Sequence, residues 1–266
     1  MGIRMDNQWL PKFYQVTNLV QEMDDTLSFD LPIDIGEPGQ FHMLYIPAVG
    51  EIPVSISRKN AGMVTHTVRG VGAVSNAICS LKEGSEVGVR GPFGSSWPMP
   101  TKGNALLVAG GLGLAPLRPL IEACLDMPDV QVTVLYGTRA PENILYPEDL
   151  KRWKQRAYKC HVTVDRGSRE WSGNVGPVPG LLERIHVDAS DSQAYICGPE
   201  IMMRFTVEAL LGLGMSASDL YLSMERNMKC ALGVCGHCQW GSDFVCKQGP
   251  VYSFDKVASR FYVREL

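Results

Sequence analysis

Residues 105–117 read Ala-Leu-Leu-Val-Ala-Gly-Gly-Leu-Gly-Leu-Ala-Pro-Leu, an apolar run followed by three glycines and a proline. A continuous apolar run is typical of a strand that is buried on both faces of a sheet. Glycines let a ligand approach the backbone, and proline suits the first turn of a helix. The stretch therefore predicts a strand, a glycine loop and a helix whose N-terminus can hold a pyrophosphate, although alone it is equally typical of a tight turn. The candidate binding residues are Gly110, Gly111, Gly113, Leu114, Ala115 and Pro116.

The predicted secondary-structure pattern differs on the two sides of this stretch. Downstream, apolar strands at 131–136, 161–164 and 194–197 alternate with helical segments at 116–126, 147–156 and 199–213. This alternation predicts a parallel-sheet α/β domain over residues 101–220. Upstream, short strands separated by turn signals predict a small antiparallel β barrel over residues 1–100, interrupted by a helix at about 75–81.

The C-terminal segment, 221–266, has no helical or strand period and contains a cysteine cluster. The spacing is C-x4-C-x2-C-x7-C, formed by Cys230, Cys235, Cys238 and Cys246. The first three cysteines match the plant-type 2Fe–2S loop, in which the fourth ligand lies further away. A zinc site is the alternative, but zinc sites commonly pair two C-x2-C motifs and this segment has one. The spacing therefore favours an iron–sulfur cluster, with His237 as a flanking polar residue, and the segment is expected to be organised by what it binds.

The bulk composition excludes several classes of protein. The net charge of −3 gives no basic surface for nucleic acid. The first seven residues lack the apolar core of a signal peptide, and the longest apolar stretch is too short and too interrupted for a membrane span. The other four cysteines are scattered singly, as in a reducing compartment. A soluble cytoplasmic protein is therefore expected.

Two further strand ends carry candidate nucleotide-binding residues. Asp165 and Arg166 follow the strand at 161–164, where an acid would bind ribose hydroxyls and an arginine would bind a 2′-phosphate. Asp165 favours NAD and Arg166 favours NADP, so the choice between the two nucleotides stays open. Cys197, Gly198 and Pro199 end another strand at the same predicted edge. A solvated surface pair and a simple turn explain the same residues equally well.

The order of these motifs ties them together. A barrel, then Gly-Gly-Leu-Gly-Leu-Ala-Pro at 110–116, then Cys-Gly-Pro-Glu-Ile-Met-Met at 197–203 resembles the ferredoxin–NADP reductase superfamily. The tail Met-Glu-Arg-Asn-Met-Lys-Cys-Ala-Leu-Gly-Val-Cys-Gly-His-Cys at 224–238 is the most specific part. It is similar to the gamma (diaphorase) subunits of NAD(P)-linked nickel–iron hydrogenases, or sulfhydrogenases, and to the electron-transfer subunits of dihydroorotate dehydrogenase. The resemblance covers essentially the whole chain.

The resemblance implies three cofactors: FAD in the barrel, NAD(P) in the α/β domain and a 2Fe–2S cluster in the tail. The flavin segment of the superfamily, Arg-x-Tyr-Ser, corresponds to Ile52-Pro53-Val54-Ser55, which lacks both the arginine and the tyrosine. Direct aromatic stacking on the flavin is therefore not expected here. The resemblance further implies that Cys197 lies near the nicotinamide and acts in catalysis there. The other residues that it implies for cofactor binding are Pro53, Val54, Ser55, Ile56, His66, Val68, Arg69, Gly72, Ala73, Val74, Ser75 and Arg139.

The expected function is that of an electron-transfer subunit. A nicotinamide exchanges two electrons as hydride and a 2Fe–2S cluster exchanges one, so a flavin is needed between them. The expected partners are an iron–sulfur relay subunit and the subunits of a nickel–iron hydrogenase. Within the same class, the partner is alternatively an anaerobic sulfite reductase or a dihydroorotate dehydrogenase. A zinc-stabilised, non-catalytic nucleotide-binding scaffold is the alternative from another class.

Overall fold

A curled antiparallel sheet forms the first half of the computed structural model, which describes residues 8–263. Its strands are β1 (Lys12–Gln15), β2 (Thr17–Met23), β3 (Thr26–Leu31), β4 (Phe41–Ile46), β5 (Gly50–Asn60), β6 (Met63–Arg69) and β7 (Glu86–Phe93). They pair in the order β1-β7-β4-β5-β6-β3-β2. Only Val16 separates β1 from β2 at the two ends of this order, so the sheet curls round on itself. The predicted antiparallel barrel is thereby confirmed.

Helix α1 (Ala73–Cys79) connects β6 and β7 and begins two residues earlier than the sequence predicts. The Ser75 hydroxyl accepts hydrogen bonds from the N–H groups of Val71 and Gly72, both at 2.9 Å. These bonds satisfy backbone donors that precede the helix, and so the helical turn starts at Ala73. The expectation drawn from the first seven residues lies outside the described part of the chain.

A second, mostly parallel sheet follows, as predicted. Its strands are β8 (Asn104–Gly110), β9 (Gln131–Thr138), β10 (Lys159–Val164), β11 (Asn174–Val175), β12 (Ser192–Cys197), β13 (Leu220–Ser223) and β16 (Val251–Ser253). They pair in the order β11-β10-β9-β8-β12-β13-β16, and only β16 runs antiparallel to its neighbour. The helices of this half are α2 (Leu114–Leu125), α3 (Pro147–Arg156) and α4 (Glu200–Gly212). Short 3₁₀ turns lie at Gly111–Gly113, Pro141–Asn143, Val178–Arg184 and Ala217–Asp219.

The strand order reverses at β8. From β8 the chain builds outward through β9, β10 and β11, then returns to place β12 on the other side of β8. In the register of these two strands, Ala109 lies opposite Cys197. In open parallel sheets the ligand crevice forms at this reversal, outside the carboxyl ends of the strands. The glycine loop after β8 and the Cys-Gly-Pro turn after β12 therefore meet where a ligand is expected.

The C-terminal segment is more ordered than its sequence suggests. It contains a hairpin, β14 (Gln239–Trp240) with β15 (Asp243–Phe244), and the helices α5 (Val245–Gln248) and α6 (Phe254–Phe261). Strand β16 joins the edge of the parallel sheet, and Trp240, Val257 and Phe261 share a buried cluster with Leu222 of β13. The expectation that a bound group alone organises this segment is wrong, because packing on the sheet orders residues 239–261.

Polar contacts fix the barrel against the α/β sheet. The Asp149 carboxylate of α3 accepts from Arg58 of β5 at 3.0 Å and from Nε of Arg118 in α2 at 2.6 Å. The Trp97 indole donates to the Pro116 carbonyl across the same junction at 2.9 Å. The cleft between the two sheets is therefore held in a defined geometry. In the part of the chain that the structure describes, no helix combines the length and the apolar character needed to cross a bilayer.

Candidate functional site

A cavity of about 1020 Å³ opens between the barrel and the carboxyl edge of the parallel sheet. Its barrel wall contains Arg69 and Val71. The opposite wall is formed by residues at the carboxyl ends of four different strands, β8, β9, β10 and β12: Gly110, Gly111, Gly113, Arg139, Asp165, Gly198 and Pro199. The structure thus brings together eight of the residues that the sequence singles out, from loops that are far apart in the chain.

The glycine loop and the Cys-Gly-Pro turn touch through their backbones. A Cβ atom on Gly113 would lie 2.6 Å from the carbonyl carbon of Cys197 and 2.7 Å from the nitrogen of Gly198. A Cβ atom on Gly198 would lie 2.9 Å from the Cα of Gly110. Only glycine permits this approach, since real Cβ contacts are essentially never under 3.0 Å.

The glycine loop leads directly into helix α2. A Cβ atom on Gly111 would meet nothing within 4 Å, so the loop backbone is open toward the cavity. The backbone N–H groups at the start of α2 donate to the carbonyls of Gly111 and Leu112 in the preceding 3₁₀ turn, and Pro116 has no N–H. The open backbone of the glycine loop, at the N-terminal end of a twelve-residue helix, is therefore the part that a pyrophosphate can approach. Leu114, Ala115 and Pro116 are buried in this first turn, where they position the loop and do not line the cavity.

Cys197 lies behind the cavity wall with its side chain buried in the sheet. Burial raises the pKa of its thiol far above the ordinary value, and the nearby Glu225 carboxylate raises it further. The thiol is therefore neutral at physiological pH and cannot act as a base. Glu225 itself lines the cavity, and desolvation raises its pKa. The structure thus places a carboxyl group, absent from the sequence-derived candidates, between the Cys197 strand end and the cleft.

A smaller cavity of about 630 Å³ lies beyond the ends of β9 and β10. Arg139, Asp165, Arg166 and Ser168 line it together with Glu142. The Arg166 N–H donates to the Arg139 carbonyl at 3.0 Å, which holds the two strand ends side by side. Asp165 and Arg166 are both exposed and line the same concave surface.

The predicted flavin segment lies on β5 of the barrel. Pro53 and Ser55 are half-buried on the outer face, whereas Val54 and Ile56 point into the barrel core. Val68 on β6 is also buried in that core. The segment thus presents alternate residues to the outside, as an antiparallel strand with one buried face should.

His66 lies inside the barrel and reaches the outer face only through the backbone. One of its ring nitrogens contacts the Ser55 carbonyl at 3.0 Å, and the other contacts the His42 ring at 3.0 Å. Burial lowers the pKa of His66 to about 4 and that of His42 to about 3. Both imidazoles are therefore neutral at physiological pH, and His66 supports the strand from beneath.

The loop that precedes α1 borders the same cleft. Gly72 and Ala73 are exposed and Val74 is half-buried. Arg69 contacts Asp25 at 3.7 Å and keeps a half-buried side chain in the cavity wall. The Ser75 hydroxyl accepts the capping hydrogen bonds of this loop.

The four tail cysteines lie in a loop rich in backbone donors. The N–H groups of Leu232, Val234 and Cys235 point at Cys230 Sγ from 3.3–3.4 Å, and that of Gly233 points at Cys246 Sγ from 3.2 Å. Positive φ angles at Ala231, Gly233 and Gly236 let the chain wrap in this way. Donors aimed at sulfur stabilise thiolates and tune the potential of a bound cluster.

The thiols associate in pairs. Cys235 hydrogen-bonds with Cys230, and Cys246 with Cys238. Hydrogen bonds from the backbone N–H groups of Cys230 and His237 lower the pKa of Cys235 to about 7, whereas burial raises that of Cys246 to about 12. Within residues 8–263, no three His, Cys, Asp or Glu side chains converge on one metal position. Two thiol pairs and converging N–H donors fit the donor set of a 2Fe–2S cluster, in which four thiolates are divided between two irons.

Several cavity residues have no counterpart among the sequence-derived candidates. Ile201 and Phe205 lie one turn apart on α4, are exposed and line the larger cavity. Their spacing signals one helix face, but only the fold shows that this face borders the cleft. Glu225 is part of the motif at 224–238, and its position in the cleft follows from the pairing of β13 with β12.

Two family models match the chain. The oxidoreductase NAD-binding domain matches residues 107–208, which include the glycine loop, Arg139, Asp165 and the Cys-Gly-Pro turn. The iron–sulfur cluster binding domain of dihydroorotate dehydrogenase B matches residues 225–258, which include all four tail cysteines. The zinc-scaffold alternative has no such support.

Solved structures share the fold. An NADH-dependent reduced ferredoxin-NADP oxidoreductase is 24% identical, with a TM-score of 0.77, and the match covers 95% of this chain and 94% of that chain. The ferredoxin reductase of carbazole 1,9a-dioxygenase is 22% identical, with a TM-score of 0.71 and coverage of 79% and 68%. At these identities the likeness establishes the fold alone.

Curated relatives match at higher identity. Sulfhydrogenase 2 subunit gamma of Pyrococcus furiosus is 31% identical, over 94% of this chain and 92% of the relative. The probable dihydroorotate dehydrogenase B electron transfer subunit of Methanocella arvoryzae is 36% identical, over 89% and 88%. The chain therefore belongs to the family of NAD(P)-linked iron–sulfur electron-transfer subunits that includes the sulfhydrogenase gamma subunits and the electron-transfer subunits of dihydroorotate dehydrogenase B.

Proposed function

We propose that this chain passes electrons between NAD(P)H in the cleft and a 2Fe–2S cluster on the four tail cysteines, with FAD held on the outer face of the barrel. The observation that carries this proposal is the larger cavity, which is lined by barrel residues on one side and by nucleotide loops on the other. We also propose that the segments 1–100, 101–220 and 221–266 serve as the flavin, nucleotide and cluster units.

The proposed roles follow from position. Pro53 and Ser55 present the outer face of β5 to the flavin, and the exposed turn at Gly72 and Ala73 lies at the start of α1 for its pyrophosphate. FAD, when bound, supplies the conversion between two-electron hydride exchange and one-electron exchange with iron. The buried, neutral Cys197 thiol closes the site behind the nicotinamide without exchanging a proton.

The cavity beyond β9 and β10 favours NADP(H) as the nucleotide. A NAD site usually places an acid about 20 residues after the glycine loop to bind the 2′-hydroxyl. Here β9, the strand next to the glycine-loop strand, is followed by Arg139, and Arg166 lines the same cavity. Both guanidinium groups line this cavity, together with the carboxylates of Glu142 and Asp165, and two arginines in one concave site suit a 2′-phosphate. Asp165 would then bind a ribose hydroxyl.

The proposed function is tested first on the isolated chain. Purified protein reconstituted with FAD, iron and sulfide should carry two irons and two sulfides per chain and reduce an artificial dye with NADPH or NADH. A protein that binds zinc, or that lacks dye reduction with both nucleotides when loaded, would contradict the proposal. Cys238→Ser removes one of the four proposed cluster ligands and should lower the iron and sulfide content. Cys160→Ser is its matched control, because Cys160 lies on β10 outside the cluster loop.

We propose a nickel–iron hydrogenase, reached through an iron–sulfur relay subunit, as the partner, because the match to the sulfhydrogenase gamma subunit extends over 94% of the chain. A dihydroorotate dehydrogenase is the second candidate, since that relative has the higher identity of 36%. Native mass spectrometry and metal analysis of the complex from its source distinguish them. Nickel in the partner supports the first, an FMN-containing partner the second, and a siroheme partner would indicate sulfite reduction.

A further inference from the structure

One buried arginine, Arg90 on β7, joins the barrel to the cysteine loop. Its side chain is 4% exposed. Nε and one terminal nitrogen bind the two carboxylate oxygens of Glu51 at 3.0 and 2.8 Å. The remaining donors reach the carbonyls of Cys230 at 3.1 Å, Lys229 at 3.3 Å and Gln8 at 3.0 Å. Each of the five guanidinium N–H donors therefore has an acceptor.

The two ends of this contact belong to different proposed redox sites. Glu51 lies on β5, two residues before Pro53 of the proposed flavin strand. The Cys230 carbonyl belongs to a proposed cluster ligand whose sulfur receives three backbone N–H groups. Since Arg90 and Cys230 are 140 residues apart in the chain, no local pattern marks the link.

The burial of the Arg90 guanidinium needs a reason, because removing this charge from water can cost more than its attraction to Glu51, whose side chain is 29% exposed, returns. A hydrophobic pair of similar volume would serve packing alone at least as well. The bidentate arginine adds something that such a pair cannot: a fixed fork and a fixed positive charge beside the loop. By binding two successive carbonyls, Arg90 orients the peptides that enter the loop of N–H donors.

We propose that Arg90, held by Glu51, is a positioning residue that fixes the cysteine loop on the flavin strand and sets the reduction potential of the cluster. This inference rests on the proposed function. A positive charge beside the cluster favours its reduced form, and the Glu51 carboxylate opposes that effect. Removal of either charge should therefore shift the potential, and the two removals should shift it in opposite directions.

The test is a redox titration of the reconstituted full chain, followed by electron paramagnetic resonance, with iron and sulfide content measured in parallel. In Arg90→Met the ratio of reduced to oxidised cluster at a fixed potential should fall by ~3- to 10-fold, tenfold being about 59 mV for one electron. In Glu51→Gln the ratio should rise by a similar factor. Arg156→Met is the control: it removes an arginine of α3 that is paired with Asp126 at the end of α2, and it should leave the ratio unchanged.

A conservative variant separates charge from positioning. Arg90→Lys keeps the positive charge but loses the planar fork of N–H donors. The ratio of reduced to oxidised cluster at a fixed potential should therefore stay within about 2-fold of the wild-type ratio. Hydrogen exchange at residues 228–236 should nevertheless become faster, because the two loop carbonyls lose their shared donor.

The outcomes decide between the alternatives. Opposite shifts in Arg90→Met and Glu51→Gln support the assignment, whereas unchanged potentials or shifts of the same sign overturn it. If Arg90→Met retains no cluster, Glu51→Gln decides alone, and a potential that does not rise overturns the assignment. A wild-type chain that binds no 2Fe–2S cluster overturns the proposed function as well, whereas a wild-type cluster with unmoved potentials overturns only the role of Arg90.

Discussion

Replacing Gly113 with alanine tests whether the nucleotide site depends on backbone contact between the glycine loop and the Cys197 strand end. Gly113 has φ −60° and ψ −10°, which alanine adopts freely. The substitution therefore adds a steric conflict without backbone strain. The new methyl carbon would lie 2.6 Å from the Cys197 carbonyl carbon, about 0.8 Å inside ordinary contact at 3.4 Å.

The expected magnitude follows from this overlap. Both contacted groups are backbone, so relief requires the loop and the end of β12 to separate by several tenths of an ångström. Overpacking of this kind costs ~1–3 kcal/mol of unfolding free energy, or roughly 2–12 °C in melting temperature for a chain of this size. A full 1 Å misplacement costs on the order of 10²-fold in catalytic efficiency, so a loop displacement of several tenths of an ångström should cost on the order of 10-fold.

The assay is NAD(P)H-dependent dye reduction by the reconstituted chain, with melting temperature measured on the same preparations. Gly212→Ala is the matched control, because Gly212 lies in α4 and an added Cβ would meet nothing within 4 Å. That variant should be neutral or slightly more stable. If Gly113→Ala keeps its efficiency within about threefold of wild type, the contact does not shape the site and the reasoning is refuted.

Three further predictions follow from other contacts. Because burial depresses the pKa of His42 to about 3 and of His66 to about 4, the unfolded chain takes up their protons first as pH falls. Their contribution to stability is therefore complete above pH 6.5, and it is lost as pH falls from 6.5 to about 4 for His66 and to about 3 for His42. The fall in melting temperature over this window should be shallower when both histidines are changed to glutamine. Asp149→Asn should lower the unfolding free energy by ~3–5 kcal/mol in denaturant titrations, since it leaves the buried Arg118 guanidinium without its anion. Glu148→Gln, in an exposed pair, should change it by less than ~0.5 kcal/mol. Arg139→Ala should raise KM for NADPH at least ~10-fold and KM for NADH less than ~2-fold, and an equal effect on both would contradict the 2′-phosphate assignment.

The C-terminal segment contains one feature that local sequence predicts, the cysteine loop, and one that it does not, strand β16. The C-x4-C-x2-C spacing and the small residues between the ligands were sufficient to predict the cluster type, because these features act within one loop. The strand β16 was not predictable, since three residues carry no period and Val251 and Tyr252 become buried only through pairing with β13. That pairing orders the tail.

The sequence by itself determined the barrel, the parallel sheet, the glycine loop and the motif of four cysteines, since each depends on residues that are neighbours in the chain. The tertiary structure alone decided which strand ends share a cavity, and it alone revealed the Glu225 carboxyl in the cleft and the contact between Arg90 and the Cys230 carbonyl. These contacts join groups that are far apart in the chain, and only the order of strands in the two sheets brings them within hydrogen-bond distance.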